Sequence, residues 1–310
     1  MNTEALDDAP APESGRPGTA ERAFAGASKD AARPTLSVVI PVYNERATLP
    51  EILRLVMLAL PGVAKQVIVV DDCSTDGTRE WLTEYLPRTE TPIGRIVTGG
   101  DGGLRFLGPP RADETRGEEG GGDEAGAASV EIVPAETSLI VLLHDRNRGK
   151  GRALRTGFET ANRDVIIIQD ADLEYDPVDW AEMLDLIERD KADVVFGSRF
   201  YGRPHRVLYF HHYMANKLIS FVFNFLFDQM LSDIEVCYKM FRRTVIEEIE
   251  FTCDDFGFEI EFSAKVAKSK RWRIYETGCA YYGRTYEEGK KINWRDGVKA
   301  LWYVFWFRIF

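Results

Sequence analysis

The sequence predicts an α/β fold: a mostly parallel sheet covered by helices on both faces. Three observations lead there. Short β-branched apolar runs alternate with stretches of helical periodicity along the chain. The runs are apolar almost throughout, the pattern of strands buried on both faces rather than one. Charged residues stand where the runs end, at Asp71-Asp72, Asp170-Ala171-Asp172 and Gly197-Ser198-Arg199, and sheets of this kind bind ligands beyond the carboxyl ends of their strands.

The elements follow in order. Leu36-Ser37-Val38-Val39-Ile40-Pro41 is a buried strand closed by proline. Residues 49–60 carry apolar side chains at helical spacing and stop before Pro61-Gly62. Residues 66–72 form a second apolar strand ending in two acids. Ser74-Thr75-Asp76-Gly77-Thr78 is a turn and helix cap, with Ser74 or Asp76 as the capping side chain, and a helix runs on to residue 85. A third strand spans 139–143, a helix 151–161, a fourth strand 164–170, a helix up to 190 and a fifth strand 192–197.

Composition places this fold in context. The 310 residues are 45% hydrophobic and 29% charged, ordinary for a globular chain and enough for a substantial core. No apolar run approaches the roughly 18 residues that span a bilayer, and the N-terminus lacks a signal-peptide core. A cytoplasmic protein is expected, and neither a secreted nor an integral membrane one. Cys73, Cys237, Cys253 and Cys279 include no CxxC pair and fit reduced thiols. The net charge is −11. Residues 1–34 hold six acids and four bases, and residues 99–137 nine acids, three bases and ten of the 26 glycines. Both stretches have the composition of disorder: an N-terminal tail, and a low-complexity insert in a domain running from 35 to 285. From Lys268 to Phe310 the balance reverses, with ten bases, four acids and Trp272, Trp294, Trp302 and Trp306. Basic plus aromatic suits a membrane-surface or anion-binding face, and residues 286–310 are expected to form such a helix. Nucleic acid is not an expected partner.

Asp170 and Asp172 carry most of the chemistry. Two carboxylates one residue apart at a strand end can both aim at a divalent cation, and hard oxygen ligands suit Mg2+ or Mn2+. Such an ion would neutralise a departing diphosphate, with Glu174 as a further ligand. Asp71-Asp72 suits nucleoside hydroxyls or a base N–H. Pro41-Val42-Tyr43-Asn44-Glu45 brings amides, a ring and a carboxylate to the same rim; on local grounds it reads equally as a plain turn before a helix. Arg146-Asn147-Arg148-Gly149-Lys150-Gly151-Arg152 sets four bases and two glycines before a helix, either an anion site or a solvated basic loop. The spacing of a Walker A loop is absent.

These motifs, in this order, resemble family 2 glycosyltransferases of the GT-A fold, and Gly197-Ser198-Arg199-Phe200 narrows the resemblance to the polyprenyl-phosphate sugar transferases, the dolichol-phosphate mannosyltransferase group and its relatives. The likeness runs from about residue 36 to the C-terminus, apart from the insert. It implies a single Rossmann-like catalytic domain and roles residue by residue. Pro41, Tyr43, Glu45 and Asp72 would hold the nucleotide, with Lys150 and the Asp170-Ala171 segment against it. Asp170, Asp172 and Glu174 would hold Mg2+ or Mn2+. Arg199 would meet a phosphate of donor or acceptor, and Arg284 with Lys290 or Lys291 would belong to a basic loop closing over the phosphates. Two departures stand out. Many relatives carry C-terminal transmembrane helices and this chain has none, and Cys73 stands where relatives often have Gly.

The implied reaction is an inverting, metal-dependent transfer of one sugar from a GDP- or UDP-linked donor to a polyprenyl or dolichyl phosphate at the cytoplasmic membrane face, by a peripherally bound enzyme. A lipid phosphate is already anionic and needs cations to position it. A hydroxyl acceptor, the alternative, needs a general base, for which Asp233 in Leu231-Ser232-Asp233-Ile234-Glu235 is the candidate. Glu259 and Glu261 read as structural partners of nearby bases. Residues 218–227 and 301–310 are apolar, aromatic and too short to span a bilayer. They suit interfacial helices; core packing, a homo-oligomer or a membrane-protein partner are the other readings. Nucleotidyl transfer is disfavoured, since Tyr43-Asn44-Glu45 stands where its glycine-rich signature would lie, and the intact Asp170/Asp172 pair disfavours a non-catalytic module.

Overall fold

The computed structural model describes residues 33–85, 95–98, 104–107, 137–285, 287–288 and 294–310. The N-terminal tail up to residue 32, most of the 99–137 insert, and Lys290 and Lys291 lie outside the described residues.

A seven-stranded sheet organises the unit from Arg33 to Phe310. Strand β1 (Leu36–Val42) lies at its centre, with β2 (Lys65–Asp71) and then β5 (Ser138–Leu143) on one side, all parallel. On the other side come β6 (Val165–Ile168), β8 (Lys239–Arg242), β7 (Val194–Ser198) and β9 (Ile274–Gly278). Strand β8 is antiparallel to both neighbours, so β1, β2, β5, β6, β7 and β9 all point one way. The chain leaves β1 toward β2 and β5, then returns to β6 on its far side. The crevice above β1 and β6 is therefore the topological switch point, where sheets of this class bind ligands.

Packing explains the elements. Every residue of β2 and β6 is buried, as expected for strands covered twice. Helix α1 (Leu49–Leu58) starts with Pro50 in its first turn and buries Leu49, Ile52, Leu53, Val56 and Met57 as one stripe. Its last carbonyls, on Met57 and nearby Leu60, accept from the buried Lys65 ammonium at 3.4 and 3.3 Å; burial lowers that lysine to about 8. Helix α3 (Lys150–Thr160) sets Gly157 against Val39, where a Cβ would collide. Helix α4 (Trp180–Glu188) buries Trp180, Met183, Leu184 and Ile187. A T-shaped Phe158–Phe241 pair, with Phe251, Phe258 and Phe262 around it, fills the space beneath α7 (Phe258–Ser269).

Several details depart from expectation. The helix expected after Thr78 is one α-turn, α2 (Thr78–Glu80), continued as a π-turn (Trp81–Tyr85). Asp76, not Ser74, caps it, accepting from the Thr78 amide at 3.0 Å; Ser74 Oγ accepts from the Asn44 amide instead. The strand expected over 164–170 stops at Ile168, which releases Gln169 onto the Tyr238 hydroxyl and Asp170 into the crevice. Within the low-complexity insert, β4 (Leu104–Leu107) pairs antiparallel with β3 (Arg95–Thr98).

A short helix, α6 (Thr244–Glu248), follows β8. Helices α5 (Phe210–Phe227) and α8 (Trp294–Ile309) pack together. Both contain the apolar stretches noted above. Among the described residues no helix is long and apolar enough to cross a membrane.

Candidate active site

The rim above β1, β2, β6 and β7 gathers most of the residues singled out from the sequence. The backbone leaves β1 through Asn44 at φ 56°, a conformation asparagine tolerates. Its side chain accepts from the Thr75 amide at 2.8 Å, tying the β1 and β2 exits together. Tyr43 beside it is exposed and Glu45 is buried; Glu45 accepts from Thr48 at 2.8 Å.

Asp71 and Asp72 do different things. Asp71 is fully buried and accepts from the Ser74 amide. Asp72 accepts from the Arg148 amide (2.8 Å), the Gly149 amide (2.7 Å) and His144 Nδ1 (2.7 Å). Expected as a nucleotide contact, Asp72 thus spends most of its acceptor capacity holding the basic loop. Gly149, at φ 92°, and Gly151 are required by close approach, since a Cβ would run into the Asp254 carbonyl from the first and the Cys253 carbonyl from the second.

The same loop corrects the expectation for Lys150. Its ammonium turns inward, 2.8 Å from Asp170 and 3.2 Å from Glu259, with Cys237 Sγ at 2.9 Å. Glu259 also pairs with the fully buried Lys239. Lys150 therefore braces Asp170 from below and does not reach out toward phosphates; Arg146 and Arg148 are the exposed cations of this loop.

Asp170, Asp172, Glu174, Glu45 and Arg284 meet at the switch point. The Arg284 guanidinium lies 3.0 Å from Asp172, 3.3 Å from Glu174 and 3.5 Å from Glu45. Among the described residues, the cations of this centre are Arg284 and Lys150. Burial, then the neighbouring Asp170 and Glu174 carboxylates, raises Asp172 from 3.8 to about 7, against the pull of Arg284. Burial would also raise Asp170, but Lys150 outweighs it and holds that carboxyl below its ordinary range. Ala171 is buried between them.

The donor set fits a hard divalent ion. Asp172 offers carboxylate oxygen beside two neighbouring carboxylates, and a guanidinium stands in as its present counter-ion. Among the described residues no three His, Cys, Asp or Glu side chains are grouped to hold a metal alone. Glu174 fits the role of direct ligand less well. It accepts from the Tyr281 hydroxyl at 2.9 Å and from the Arg284 amide at 3.0 Å, so it organises the 281–284 segment.

Arg199 leaves β7 toward the same crevice and is held bidentately by Asp233, at 2.6 and 2.8 Å. The guanidinium lies over the Tyr281 ring, 5.3 Å from its centroid. Asp233 has no solvent exposure and also accepts from Asn216 at 3.0 Å. Burial would raise its carboxyl, but Arg199 and Asn216 hold it below the ordinary range. A carboxylate bonded at both oxygens and held ionised makes a poor general base, so the expectation that Asp233 activates an acceptor hydroxyl gives way to a structural one: it positions Arg199. Tyr281, His144, Asn216 and the Glu259–Lys239 pair were not singled out as site residues. The histidine follows an apolar strand and the tyrosine adjoins a second tyrosine, and no motif spacing marks either.

Comparison with known proteins follows the same lines. The profile of glycosyl transferase family 2 matches residues 37–103 and 123–250, more than half of the chain. Polyprenol monophosphomannose synthase of Mycolicibacterium smegmatis is 27% identical over 265 residues, 82% of this chain and 78% of its own. Undecaprenyl-phosphate 4-deoxy-4-formamido-L-arabinose transferase of Aeromonas hydrophila is 28% identical over 82% of this chain and 62% of its own. Some relatives are longer still, the chain spanning 50% of one of them. Among solved structures, glucosyl-3-phosphoglycerate synthase of Mycobacterium tuberculosis, crystallised with Mg2+ and UDP, superposes with a TM-score of 0.55 over 87% of this chain and 79% of its own, at 15% identity.

Proposed function

The chain belongs to glycosyl transferase family 2, and from that premise we propose that it moves one sugar from a nucleotide sugar to a polyprenyl phosphate. The observation that carries this reading is the Arg199–Asp233 pair. The carboxylate best placed by sequence to serve as a base is committed to an arginine, which suits an acceptor that brings its own negative charge. The substrates named for the mycobacterial and Aeromonas relatives support the same acceptor class.

In this reading the donor lies in the crevice between the β1 and β6 ends, with Pro41, Tyr43 and Glu45 on one wall and the Asp170-Ala171-Asp172 segment on the other. Asp170 and Asp172 would hold Mg2+ or Mn2+, which supplies charge neutralisation for the departing nucleoside diphosphate. Lys150, fixed by Glu259, keeps Asp170 ionised and in place. Asp72 and His144 shape the basic loop whose exposed Arg146 and Arg148 attract the anionic donor. Arg199 orients the acceptor phosphate. One of its oxygens forms the new bond to the anomeric carbon while the bond to the diphosphate breaks, and that electron pair leaves with the nucleotide. Attack from the face opposite the leaving group inverts the anomeric centre.

The greasy end of such an acceptor needs a place. On α5, Met214, Leu218, Phe221 and Phe225 share one face and stay exposed, as do Trp302, Phe305, Trp306 and Ile309 on α8. Lys299 and Arg308 on α8 and Lys268 on α7 are exposed bases. An apolar surface edged by cations suits the interface of an anionic bilayer, giving peripheral attachment at the leaflet that holds the lipid phosphate. Replacing Phe221, Phe225, Trp302 and Trp306 together with Ser is expected to lower co-sedimentation with anionic liposomes by about tenfold; unchanged sedimentation contradicts this face as the anchor.

The overall reading is tested by incubating the protein with a panel of labelled GDP- and UDP-sugars, undecaprenyl or dolichyl phosphate and Mn2+ or Mg2+. It predicts a label that partitions into organic solvent and is released by mild acid, as a sugar-1-phosphate lipid is. Transfer to a hydroxyl acceptor, with none to the lipid phosphate across the panel, contradicts it.

A further inference from the structure

The guanidinium at the centre of the carboxylate cluster raises a question of occupancy. Arg284 touches Asp172, Glu174 and Glu45 at once, so the oxygens a divalent ion would use are already answered by a protein cation. With Arg284 in place, Asp172 still faces the neighbouring carboxylates Asp170 and Glu174 in this centre. A divalent ion would satisfy it better, but can reach Asp172 only as Arg284 gives way.

We infer that Arg284 is the resident counter-ion of the donor site, and that by competing with the metal it makes metal and nucleotide bind together. The inference rests on the donor-site reading above and adds to it a specific order of events.

Its geometry is favourable. The backbone around Arg284 is pinned without help from its guanidinium. The Tyr282 amide donates to the Glu174 carbonyl at 2.9 Å, the Tyr281 hydroxyl holds Glu174 at 2.9 Å, and Arg206 reaches the Gly283 carbonyl at 3.2 Å and Glu288 at 2.6 Å. The side chain can leave the carboxylates while its Cα stays at the rim. Lys150, the other cation of the centre, has no such exit, being enclosed by Asp170, Glu259 and Cys237. An arginine displaced from Asp172 remains beside the crevice, where a planar fork suits two phosphate oxygens. The metal alone must expel Arg284 into water; the metal with a diphosphate gives it a new partner. Linkage makes the effect reciprocal, so nucleotide binding must favour the metal by the factor by which the metal favours nucleotide.

The test uses the full chain and Mn2+ itself, with unbound Mn2+ counted by electron paramagnetic resonance. Arg284→Gln is expected to bind Mn2+ without nucleotide about tenfold tighter than the parent. Arg203→Gln, which removes an exposed cation paired with Glu182 and Asp179, is expected to bind it as the parent does. In the unsubstituted protein, UDP or GDP is expected to tighten Mn2+ binding several-fold more than it does in Arg284→Gln. Equal Mn2+ affinity in the parent and Arg284→Gln, a gain matched by Arg203→Gln, or equal tightening by nucleotide in the parent and Arg284→Gln overturns the inference and leaves the donor site standing. Failure of both proteins to bind Mn2+ even with UDP or GDP overturns the inference and the donor-site reading together.

Discussion

Asp172→Asn is expected to abolish metal-dependent sugar transfer, by at least a thousandfold in kcat/KM, and at the same time to make the metal-free protein more stable at pH 8. The two effects share one cause. Asp172 sits among carboxylates in a buried site that raises it from 3.8 to about 7, so the folded state favours its protonated form while the unfolded chain favours the ionised one. Stability is therefore fully present below about pH 4 and lost as pH rises through about 7. The shift corresponds to at most roughly 4 kcal/mol, and Arg284 loses an ionic partner in the variant, so a gain of about 1–2 kcal/mol at pH 8 is expected. Thermal melts at pH 8 and pH 5 without metal check this, and the advantage of the variant must shrink at the lower pH. A variant that still turns over with Mn2+ removes Asp172 from the metal site; one less stable than the parent at pH 8 removes the argument for stored repulsion. Sites that gain stability when a functional charge is neutralised are common where function and folding compete.

The second large effect concerns the acceptor side. Asp233→Asn leaves Arg199 buried without its counter-charge, and breaking a buried pair from one side costs about 3–5 kcal/mol. Replacing both partners with apolar residues, Arg199→Met with Asp233→Leu, removes both charges and is expected to recover most of that loss. Transfer to a lipid phosphate must stay absent in the double variant, because the cation that orients the phosphate is gone. Urea midpoints give the stabilities, and the lipid-extraction assay gives the activity. If Asp233→Asn unfolds at the parent's midpoint, the pair is not the structural unit described. A double variant that folds and still transfers sugar would take Arg199 out of the reaction. The pair's contribution also carries a pH signature. Asp233 is held below its ordinary range, so its stabilisation is present above the usual carboxylate pKa and is lost only as acid protonates the folded form.

Much of the scaffold was readable before the structure because it depends on local pattern. Strands β1, β2, β5, β6 and β7 are each built on a short apolar run, and helices α1, α3 and α4 bury regular stripes. Strand β8 escaped because it is four residues long and opens on Lys239, a buried lysine whose counter-charge, Glu259, lies twenty positions on. Helix α7 buries Glu259 and Glu261 among its apolar residues, which spoils the periodicity that would announce it. Strand β9, at the sheet edge, mixes half-buried Ile274, exposed Tyr275, half-buried Glu276 and buried Thr277, so neither an apolar run nor an alternation marks it. For the site, the strand ends located the rim, because that follows from topology. Individual roles did not follow. Lys150 sits in a glycine-rich basic loop that reads as phosphate-facing, and only the depth of Glu259 shows why it turns inward. Asp233 reads as a base until Arg199, thirty-four positions earlier, is found against it.

Three of the seven non-glycine residues with positive φ among the described residues stand at the rim. Asn44, Cys73 and Leu173 adopt positive φ values of 56°, 63° and 62°, each just beyond the end of β1, β2 or β6. Such backbone costs of order 1 kcal/mol per residue. Cys73 shows why glycine would sit comfortably at that position.

A crystal grown with Mn2+ and either UDP or GDP, measured at the manganese absorption edge, tests the central claim most directly. The account predicts one anomalous peak at the Asp172 carboxylate, shared with the diphosphate, in the crevice above β1 and β6, with the Arg284 guanidinium turned from Asp172 to the phosphates. A manganese peak remote from Asp170 and Asp172, or a nucleotide seated outside that crevice, would contradict it.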